Sequence, residues 1–282
     1  RRSANKMIEE FMLLANETVA EHFYWMEVPF LYRVHEKPET EKLEKLKIFL
    51  RSFGIMLRGN RSSIHPRAIS SILEQVKGKT SENVVSSVTL RSMQKAYYST
   101  SCEGHFGLAL KYYCHFTSPI RRYPDLMVHR MIRAVLRGTM DEDYREKMTA
   151  RMQTYAAHCS YTERRAEAAE RDVEKYMKAL YMTDSLKKTV SGIISGVTEK
   201  GLYVELPDTV EGMVPVESLG DDYYVYDRKT FTLTGKHHKR TFRMGQEVDV
   251  KVDRVDLDTA TVYFRLLTPR IKRVPRRQKL RW

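Results

Sequence analysis

The run His115-Phe-Thr-Ser-Pro-Ile-Arg-Arg-Tyr-Pro-Asp-Leu-Met-Val-His-Arg130 joins a loop rich in hydroxyl and guanidinium groups to the start of a helix. Pro124 suits the first turn of a helix, where its missing N–H costs no hydrogen bond. Asp125 suits the positive end of the helix dipole. The sequence therefore predicts a helix that begins near Pro124 and follows a stiff loop.

The side chains of this run fit two interpretations. At a helix N-terminus, the hydroxyls and guanidinium groups of Thr117, Ser118, Arg121 and Arg122 can cradle a phosphate. The apolar residues after Asp125 also alternate with basic ones at helical spacing, as in an amphipathic surface helix. Residue chemistry alone leaves both interpretations open.

Composition favours a basic protein with a polyanionic partner. The 282 residues include 49 Lys+Arg and 36 Asp+Glu, a net charge of +13. A chain of this length can form two domains. The charge excess favours nucleic acid first and an anionic membrane surface second.

The cysteines and the hydropathy indicate a reducing compartment and no membrane-spanning segment, and a membrane-surface partner is disfavoured because the positive charge is not arranged as a basic amphipathic helix with large apolar anchors. Cys102, Cys114 and Cys159 are odd in number and lack C-x-x-C spacing, which argues against a disulfide framework and a zinc site. No apolar run approaches the ~20 residues needed to span a bilayer, and the first residues do not resemble a signal peptide. We expect a cytoplasmic protein.

The first two thirds of the chain have the apolar periodicity of helices. Besides the helix at Pro124, we expect helices over residues 7–23, 38–53, 66–76, 81–97, 142–157 and 160–183. A short strand is expected at 30–34. The charges of residues 161–173 are typical of a solvated helix face with i,i+4 pairs.

Near residue 187 the apolar period changes to two. Short strands separated by glycine and proline turns are expected over residues 190–197, 201–207, 212–216, 248–252 and 261–264. Five short strands within some 80 residues are typical of an OB-type barrel. On the strand after Gly201, Leu202 and Val204 point inward, which leaves Tyr203 exposed on the opposite face.

Aromatic and basic residues of this region suit single-stranded RNA. Tyr203, the tyrosines at 223, 224 and 226, and the basic loop 237–240 combine rings for base stacking with cations for phosphate. The alternative is ordinary barrel packing of some tyrosines. The tail 269–282 has seven basic residues and no acid, so we expect it to be disordered and to add salt-sensitive affinity for nucleic acid.

Several segments, taken in order, resemble the ribonuclease II family of 3′→5′ exoribonucleases. They are Met7-Ile-Glu-Glu-Phe-Met-Leu-Leu-Ala-Asn16, Gly104-His-Phe-Gly-Leu-Ala-Leu110, His115 to Leu126, Glu163-Arg-Arg-Ala166 with Glu170-Arg-Asp-Val173, and Asp221-Asp-Tyr-Tyr224. The resemblance implies an α+β chain. Residues 1–186 would be the mainly helical C-terminal part of the catalytic domain, 187–268 a five-stranded OB-type RNA-binding barrel, and 269–282 the tail.

The resemblance also implies roles for individual residues. Arg121 matches the catalytic arginine that stabilises charge on the scissile phosphate. The residues implied along the RNA path are Glu9, at the 3′-terminal nucleotide, His105, Thr117, Ser118, Arg122, Tyr123 and Glu170, which affects how tightly the substrate is held. For Glu9, Glu170 and His105, helix capping, helix-face pairing and loop packing remain open alternatives.

The resemblance further implies magnesium-dependent hydrolysis of single-stranded RNA to nucleoside monophosphates. The family's metal-binding aspartates precede the matched segments, so we expect no metal ligand in this chain and expect the chain alone to be inactive. We expect the preceding half of the catalytic domain to pack on residues 1–186. Ribosomes or the RNA-decay machinery are further candidate partners. The alternative is a non-catalytic single-stranded RNA-binding protein that uses the barrel and the basic surface.

Overall fold

The structure, a computed structural model, describes residues 2–57, 64–79, 81–220, 222–228 and 230–267. The predicted tail 269–282 lies outside the described residues. The chain divides into two compact units, one ending at Glu170 and the other beginning at Arg171. The dividing point falls inside a long helix, and each unit has its own core.

Helices dominate the first unit, as the apolar periodicity predicts. They are α1 (Ser3–Trp25), α2 (Thr40–Ser52), α3 (Pro66–Val76), α4 (Glu82–Ser92), α5 (Tyr123–Leu136) and α6 (Glu142–Met182), which continues into the second unit. Two short strands, β1 (Tyr32–Val34) and β2 (Tyr97–Ser99), pair antiparallel, with Arg33 opposite Tyr98. The α5 helix has Pro124 in its first turn, where its missing N–H costs no hydrogen bond.

The core of the first unit lies where α1, α5 and α6 meet the two strands. Its buried side chains include Phe23, Phe30, Cys114, Met131 and Met152. Phe23 and Phe30 stack with their ring centroids 5.2 Å apart. Full burial of each such side chain stabilises the fold by about 1.5–3 kcal/mol. This packing fixes the directions of α1 and α5, which carry residues of the candidate site.

Two predicted helix boundaries are wrong. The helix predicted over 81–97 ends at Ser92, because Tyr97 and Tyr98 pair with β1 instead. The helices predicted over 142–157 and 160–183 are one continuous α6. The Ser160 hydroxyl donates to the Ala156 carbonyl at 2.8 Å and accepts the Tyr98 N–H at 2.9 Å, so a polar residue is accommodated without a break.

The second unit contains the predicted five-stranded barrel. Its strands are β3 (Thr189–Thr198), β4 (Gly201–Glu205), β5 (Glu211–Pro215), β9 (Glu247–Asp256) and β10 (Thr261–Leu266), closed in the order β10-β5-β4-β3-β9. Ile194, Leu202, Val204 and Phe264 are buried inside it. The predicted α+β fold class, helical first and barrel second, is confirmed.

A second, three-stranded sheet was not predicted. Its strands are β6 (Tyr224–Asp227), β7 (Thr232–Gly235) and β8 (Thr241–Arg243), which lie in the chain between β5 and β9. Leu233 and Phe242 are opposite each other in the sheet and are both buried. The compact units divide within α6, between Glu170 and Arg171. The predicted domain boundary after residue 186 stays a prediction.

Gly212 in β5 provides a test of barrel packing. A Cβ at this position would overlap the ring of Phe264, which is 1% exposed. We expect Gly212→Ala to lower the free energy of unfolding by about 1–3 kcal/mol, because a packed core resists added volume. Thermal unfolding followed by circular dichroism measures the change.

Gly196→Ala in β3 is the matched control, since its Cβ would lie 3.4 Å from the Tyr203 side chain, an ordinary contact. We expect a smaller change in unfolding temperature for this variant. Equal losses for the two glycines would contradict this account of the barrel core.

Candidate functional site

The loop that precedes α5 is tied to the helix by one buried carboxylate. The Ser118 carbonyl accepts the N–H groups of Arg121 and Arg122 at 3.3 and 3.1 Å, which forms a tight turn. Asp125, which is completely buried, accepts the Ser118 N–H at 2.8 Å and an Arg122 Nη2 hydrogen at 2.7 Å through the same oxygen. Both ends of the turn are therefore bound to the first turn of α5.

The two adjacent arginines differ in their surroundings. The Arg122 guanidinium pairs with Asp125, and its side chain is 21% exposed. Arg121 is exposed at the end of the turn, beside the fully exposed Ile120. The geometry thus presents one guanidinium outward and holds the other inward. The implied role of Arg122 along an RNA path stays a prediction.

Behind this turn lies a cluster of histidine and tyrosine rings. The Tyr98 hydroxyl is hydrogen-bonded to His115 Nδ1 at 2.9 Å. The ring centroids of Tyr113 and His115 are 5.8 Å apart, those of His105 and Tyr113 5.1 Å, and those of His35 and His105 5.0 Å. The cluster therefore connects the predicted residue His105 with His115, the first residue of the run from His115 to Arg130.

Burial and neighbouring cations keep two histidines of this cluster uncharged. Burial lowers the pKa of His115 to about 3, helped by the positive charges of Arg122, Arg33 and Arg121. Burial likewise lowers the pKa of His105 to about 4, with contributions from His35 and Arg33. Both imidazoles are neutral at pH 7, so they act as hydrogen-bonding groups and not as cations.

Arg33 joins the strands to α6. Its guanidinium forms two hydrogen bonds with the Glu163 carboxylate, at 2.5 and 3.0 Å, and lies 4.7 Å from the centre of the Tyr98 ring. A bidentate pair of this kind fixes direction as well as charge. Glu163, expected on a solvated helix face, is instead one of the residues that hold the site together.

The glycine-flanked loop around His105 is held by two imidazoles. The His105 Nδ1 accepts the Leu108 N–H at 3.2 Å, and the His35 Nδ1 accepts the Gly107 N–H at 2.9 Å. The His35 Nε2 donates to the Gln94 carbonyl at 2.8 Å. His105 is therefore a packed loop histidine that also belongs to the ring cluster. Loop packing does not exclude the implied role of His105 along the RNA path, which stays a prediction.

Helix α1 reaches the same loop through a buried amide. The Asn16 Nδ2 donates to the Tyr113 hydroxyl at 3.2 Å, and its Oδ1 accepts the Phe116 N–H at 3.0 Å. Glu9 lies two helical turns before Asn16 on the same side of α1, about 10 Å away along the axis. Glu9 is half-buried, and its spacing from Asn16 places it on the side of α1 that contacts the loop.

The remaining predicted residues lie at the edges of this arrangement. Tyr123 packs edge-on against Tyr155, with centroids 5.7 Å apart, and is 44% exposed. Thr117 is half-buried in the loop. Glu170 is exposed two turns after Glu163 on the same side of α6. Their implied contacts with RNA stay predictions.

The described residues do not form a magnesium site. Within them, no group of three or more His, Cys, Asp or Glu side chains is placed to hold a metal ion. Asp125, the buried carboxylate nearest the turn, accepts the Ser118 N–H and an Arg122 hydrogen through Oδ1, and its Oδ2 has no hydrogen-bond partner among the described residues. The described part of the chain thus carries cationic and neutral site residues without a carboxylate cage.

In the second unit, Tyr203 lies on the outer face of the barrel. Its neighbours across the strands are Gly196 on β3 and Met213 on β5, and Tyr263 on β10 is opposite Met213. The Arg254 guanidinium lies 4.3 Å from the centre of the Tyr263 ring. The predicted parity is observed, but Tyr203 is only half exposed because its ring lies against Gly196.

Sequence reasoning missed several site residues: Asn16, Arg33, Tyr98, Tyr113 and the role of Asp125 as the hydrogen-bond acceptor that holds the turn. A signal existed for Asn16, an amide at helical spacing within an apolar stripe. Arg33 alternates with the apolar Tyr32 and Val34, which is typical of a solvent-facing residue, so the sequence carries no signal for its pair with Glu163. The two tyrosines carry no such signal, since their partners come from distant parts of the chain.

Asp125→Ala tests the tie between the turn and α5. We expect the free energy of unfolding to fall by about 3 kcal/mol, because Arg122 and the Ser118 N–H lose their buried partner. Urea-induced unfolding measures the change. The control Glu146→Ala removes an exposed carboxylate from α6 and should change it by less than about 0.5 kcal/mol. Equal effects would contradict the assigned role.

The neutral histidines predict a pH dependence of stability. In the unfolded chain they take up protons near pH 6.5, but in the folded state only near pH 4 for His105 and pH 3 for His115. The unfolded state therefore binds more protons, and the free energy of unfolding falls as the pH drops from 6.5 to 4. His115→Asn should make this slope shallower by up to about 1.4 kcal/mol per pH unit.

Urea unfolding at a series of pH values measures that slope. Gln153→Asn, at an exposed position of α6, removes no titratable group; it is the control and should leave the slope unchanged. A His115→Asn slope equal to that of the unmodified chain would show that His115 titrates normally.

Comparison with known proteins places the chain in a family. The RNB domain model matches residues 1–138, and the S1 RNA binding domain model matches residues 184–265. Ribonuclease R 1 of Lactococcus lactis is 42% identical over 267 residues, which cover 95% of this chain and 33% of that protein. Ribonuclease R of Aquifex aeolicus is 43% identical over 268 residues, with 95% and 38% covered.

Solved structures agree. The apo form of Mycoplasma genitalium RNase R superposes with a TM-score of 0.89 at 27% identity, covering 95% of this chain and 42% of that chain. The chain spans about a third to two fifths of the length of these relatives. No helix within the described residues has the length and apolar character of a bilayer span. With an RNB match followed by an S1 match and this structural likeness, the chain belongs to the ribonuclease R family.

Proposed function

We propose that this chain forms the arginine-bearing part of the active site of a 3′→5′ exoribonuclease, together with a barrel that binds the RNA substrate. The reaction is hydrolysis of single-stranded RNA to nucleoside monophosphates. Family membership supports this proposal. So do the structures of the Mycoplasma genitalium relative in complex with ribose methylated single-stranded RNA and with double-stranded RNA.

The observation that carries the proposal is the turn from Ser118 to Arg122. Phosphoryl transfer needs a fixed positive group where charge develops on the phosphate. Arg121 is exposed on a turn whose backbone is bound to Asp125, so the backbone from which its side chain extends is held in place. Arg122 supports that position through its own pair with Asp125.

The other predicted residues have proposed roles along the RNA path. Neutral His105 and the hydroxyls of Thr117 and Ser118 can exchange hydrogen bonds with phosphate and ribose oxygens. We assign Glu9 to the 3′-terminal nucleotide, whose ribose hydroxyls can donate to a carboxylate. Tyr123 and Glu170 are assigned to the wall of the path, with Glu170 affecting how tightly RNA is held.

Magnesium is the proposed cofactor, with ligands outside the described residues. When bound, the metal supplies an activated water and neutralises phosphate charge. We propose that its carboxylates belong to a preceding half of the catalytic domain that packs on residues 1–186. Apolar side chains on α1 support this packing: Met7, Ile8, Phe11 and Leu14 are 54–60% exposed. Exposed apolar surface of that extent is typical of an interface.

Arg121→Ala tests the chemistry in the chain joined to the preceding sequence of its own gene. We expect kcat to fall by roughly 10²–10³-fold, because a donor to the developing charge is lost. Release of mononucleotides from a tailed RNA with Mg²⁺ measures it. Arg133→Ala, at an exposed position of α5, is the control and should keep full activity. Full activity of Arg121→Ala would overturn the assignment.

The 282-residue chain alone is expected to release no mononucleotides, because its described residues lack a metal cage. The same assay on the purified chain measures this. Release that Arg121→Ala abolishes would show that the chain holds a complete site. Release that Arg121→Ala leaves unchanged would indicate a contaminating nuclease.

A non-catalytic single-stranded RNA-binding protein is the second candidate. The match of residues 184–265 to the S1 RNA binding domain favours it, together with the outward Tyr203 and the adjacent Arg254–Tyr263 pair. Mononucleotide release by the extended protein decides between the two candidates. We further propose a cytoplasmic location, supported by three free cysteines, and contact with ribosomes or the RNA-decay machinery.

A further inference from the structure

A row of basic residues connects β7 and β8 in the three-stranded sheet. The turn consists of Lys236, His237, His238, Lys239 and Arg240, and its first four side chains are exposed. The Arg240 guanidinium lies over the Phe242 ring, 4.7 Å from its centre. We define these five residues as the basic turn. Its positive charge is concentrated on one short segment of the second unit.

Hydrogen bonds to Asp222 hold the backbone of the basic turn in place. The Asp222 carboxylate accepts the N–H groups of His237 and His238, with shortest distances of 2.9 and 2.6 Å, and that of Tyr223 at 2.7 Å. The Gly235 N–H donates to the Arg240 carbonyl at 2.8 Å. A fixed backbone reduces the entropy lost when the side chains bind a ligand.

An exposed aromatic ring stands next to the basic turn. Tyr223 is 69% exposed, and its carbonyl accepts the Lys236 N–H at 2.8 Å, so the two residues are neighbours. Tyr224, the next residue, is only 8% exposed and packs on Phe242. The two adjacent tyrosines thus differ, with Tyr224 in the core at the start of β6 and Tyr223 on the surface just before it.

This combination suits one class of ligand. Single-stranded RNA offers flat bases that stack on an exposed ring and phosphates that contact lysine and imidazole donors. An acidic protein surface would use the cations but gives no reason for a flat exposed ring beside them. The carboxylate nearest the basic turn, Asp222, is engaged by three backbone N–H groups.

We propose that Tyr223 and the basic turn form a second contact for single-stranded RNA, on the three-stranded sheet and separate from the barrel face around Tyr203. Lys236 and Lys239 contact phosphates, and Tyr223 stacks on a base. This inference rests on the proposed function, because it assumes that the second unit binds RNA. It adds a contact in a sheet that the barrel strands do not include.

Binding of a labelled 15-nucleotide oligouridine to the 282-residue chain, at several salt concentrations, tests the inference. We expect K236Q/K239Q to weaken binding and to reduce the salt dependence of log K by about 0.7 for each lysine. Y223A should weaken binding about fivefold or more and leave the salt dependence unchanged. The control K175Q/K188Q removes two exposed lysines of the same unit and should change neither quantity.

The outcomes separate this inference from the proposed function. Normal affinity and salt dependence of K236Q/K239Q, while Tyr203→Ala weakens binding, would overturn the basic turn as a contact and leave the proposed function intact. Failure of the unmodified chain to bind oligouridine would overturn RNA binding by this chain and the inference with it. Competition by polyglutamate as strong as that by RNA would overturn the choice of RNA as partner.

Folding is checked on the same samples by thermal unfolding. Lys236, Lys239 and Tyr223 are exposed, so their substitution should leave the unfolding temperature unchanged. If the double variant unfolds, K236Q and K239Q singly should each reduce the salt dependence by about 0.7. No reduction in either single variant would contradict the inference.

Discussion

The candidate site depends on a single buried carboxylate. Asp125 accepts hydrogen bonds from the backbone of Ser118 and from the side chain of Arg122, and so closes the turn onto the first residues of α5. A completely buried charge is stable only when it is paired and hydrogen-bonded, which binds the turn to one conformation. The consequence is a division between two adjacent arginines: Arg122 is held inside and Arg121 is presented outside.

The surrounding residues maintain that division from three directions. Asn16 on α1 bonds to the loop at Phe116, and Arg33 on β1 pairs with Glu163 on α6. Neutral histidines fill the space behind the turn without adding positive charge. Because burial lowers the pKa of His115, its imidazole adds no positive charge behind the turn at neutral pH. The helical core thus serves to position a few polar groups.

Family membership and the missing carboxylate cage are consistent with each other. The chain spans about a third to two fifths of its relatives, and its described residues supply cations and hydrogen-bonding groups without a metal site. Phosphodiester hydrolysis can use both metal ions and cationic side chains to neutralise charge on one phosphate. The carboxylates that hold the metal and the cationic side chains can therefore lie on different stretches of polypeptide.

The sequence by itself determined the helical first part, the five-stranded barrel and the passage from loop to helix within the run from His115 to Arg130, because periodicity and local motifs are properties of neighbouring residues. It placed Tyr203 on the outer face by parity alone. Only the tertiary structure decided that α6 is continuous, that Tyr98 belongs to a strand, and that Arg122 is occupied while Arg121 is exposed. Those outcomes depend on contacts between residues far apart in the chain, such as Tyr98 with Ser160, and local patterns carry no information about them.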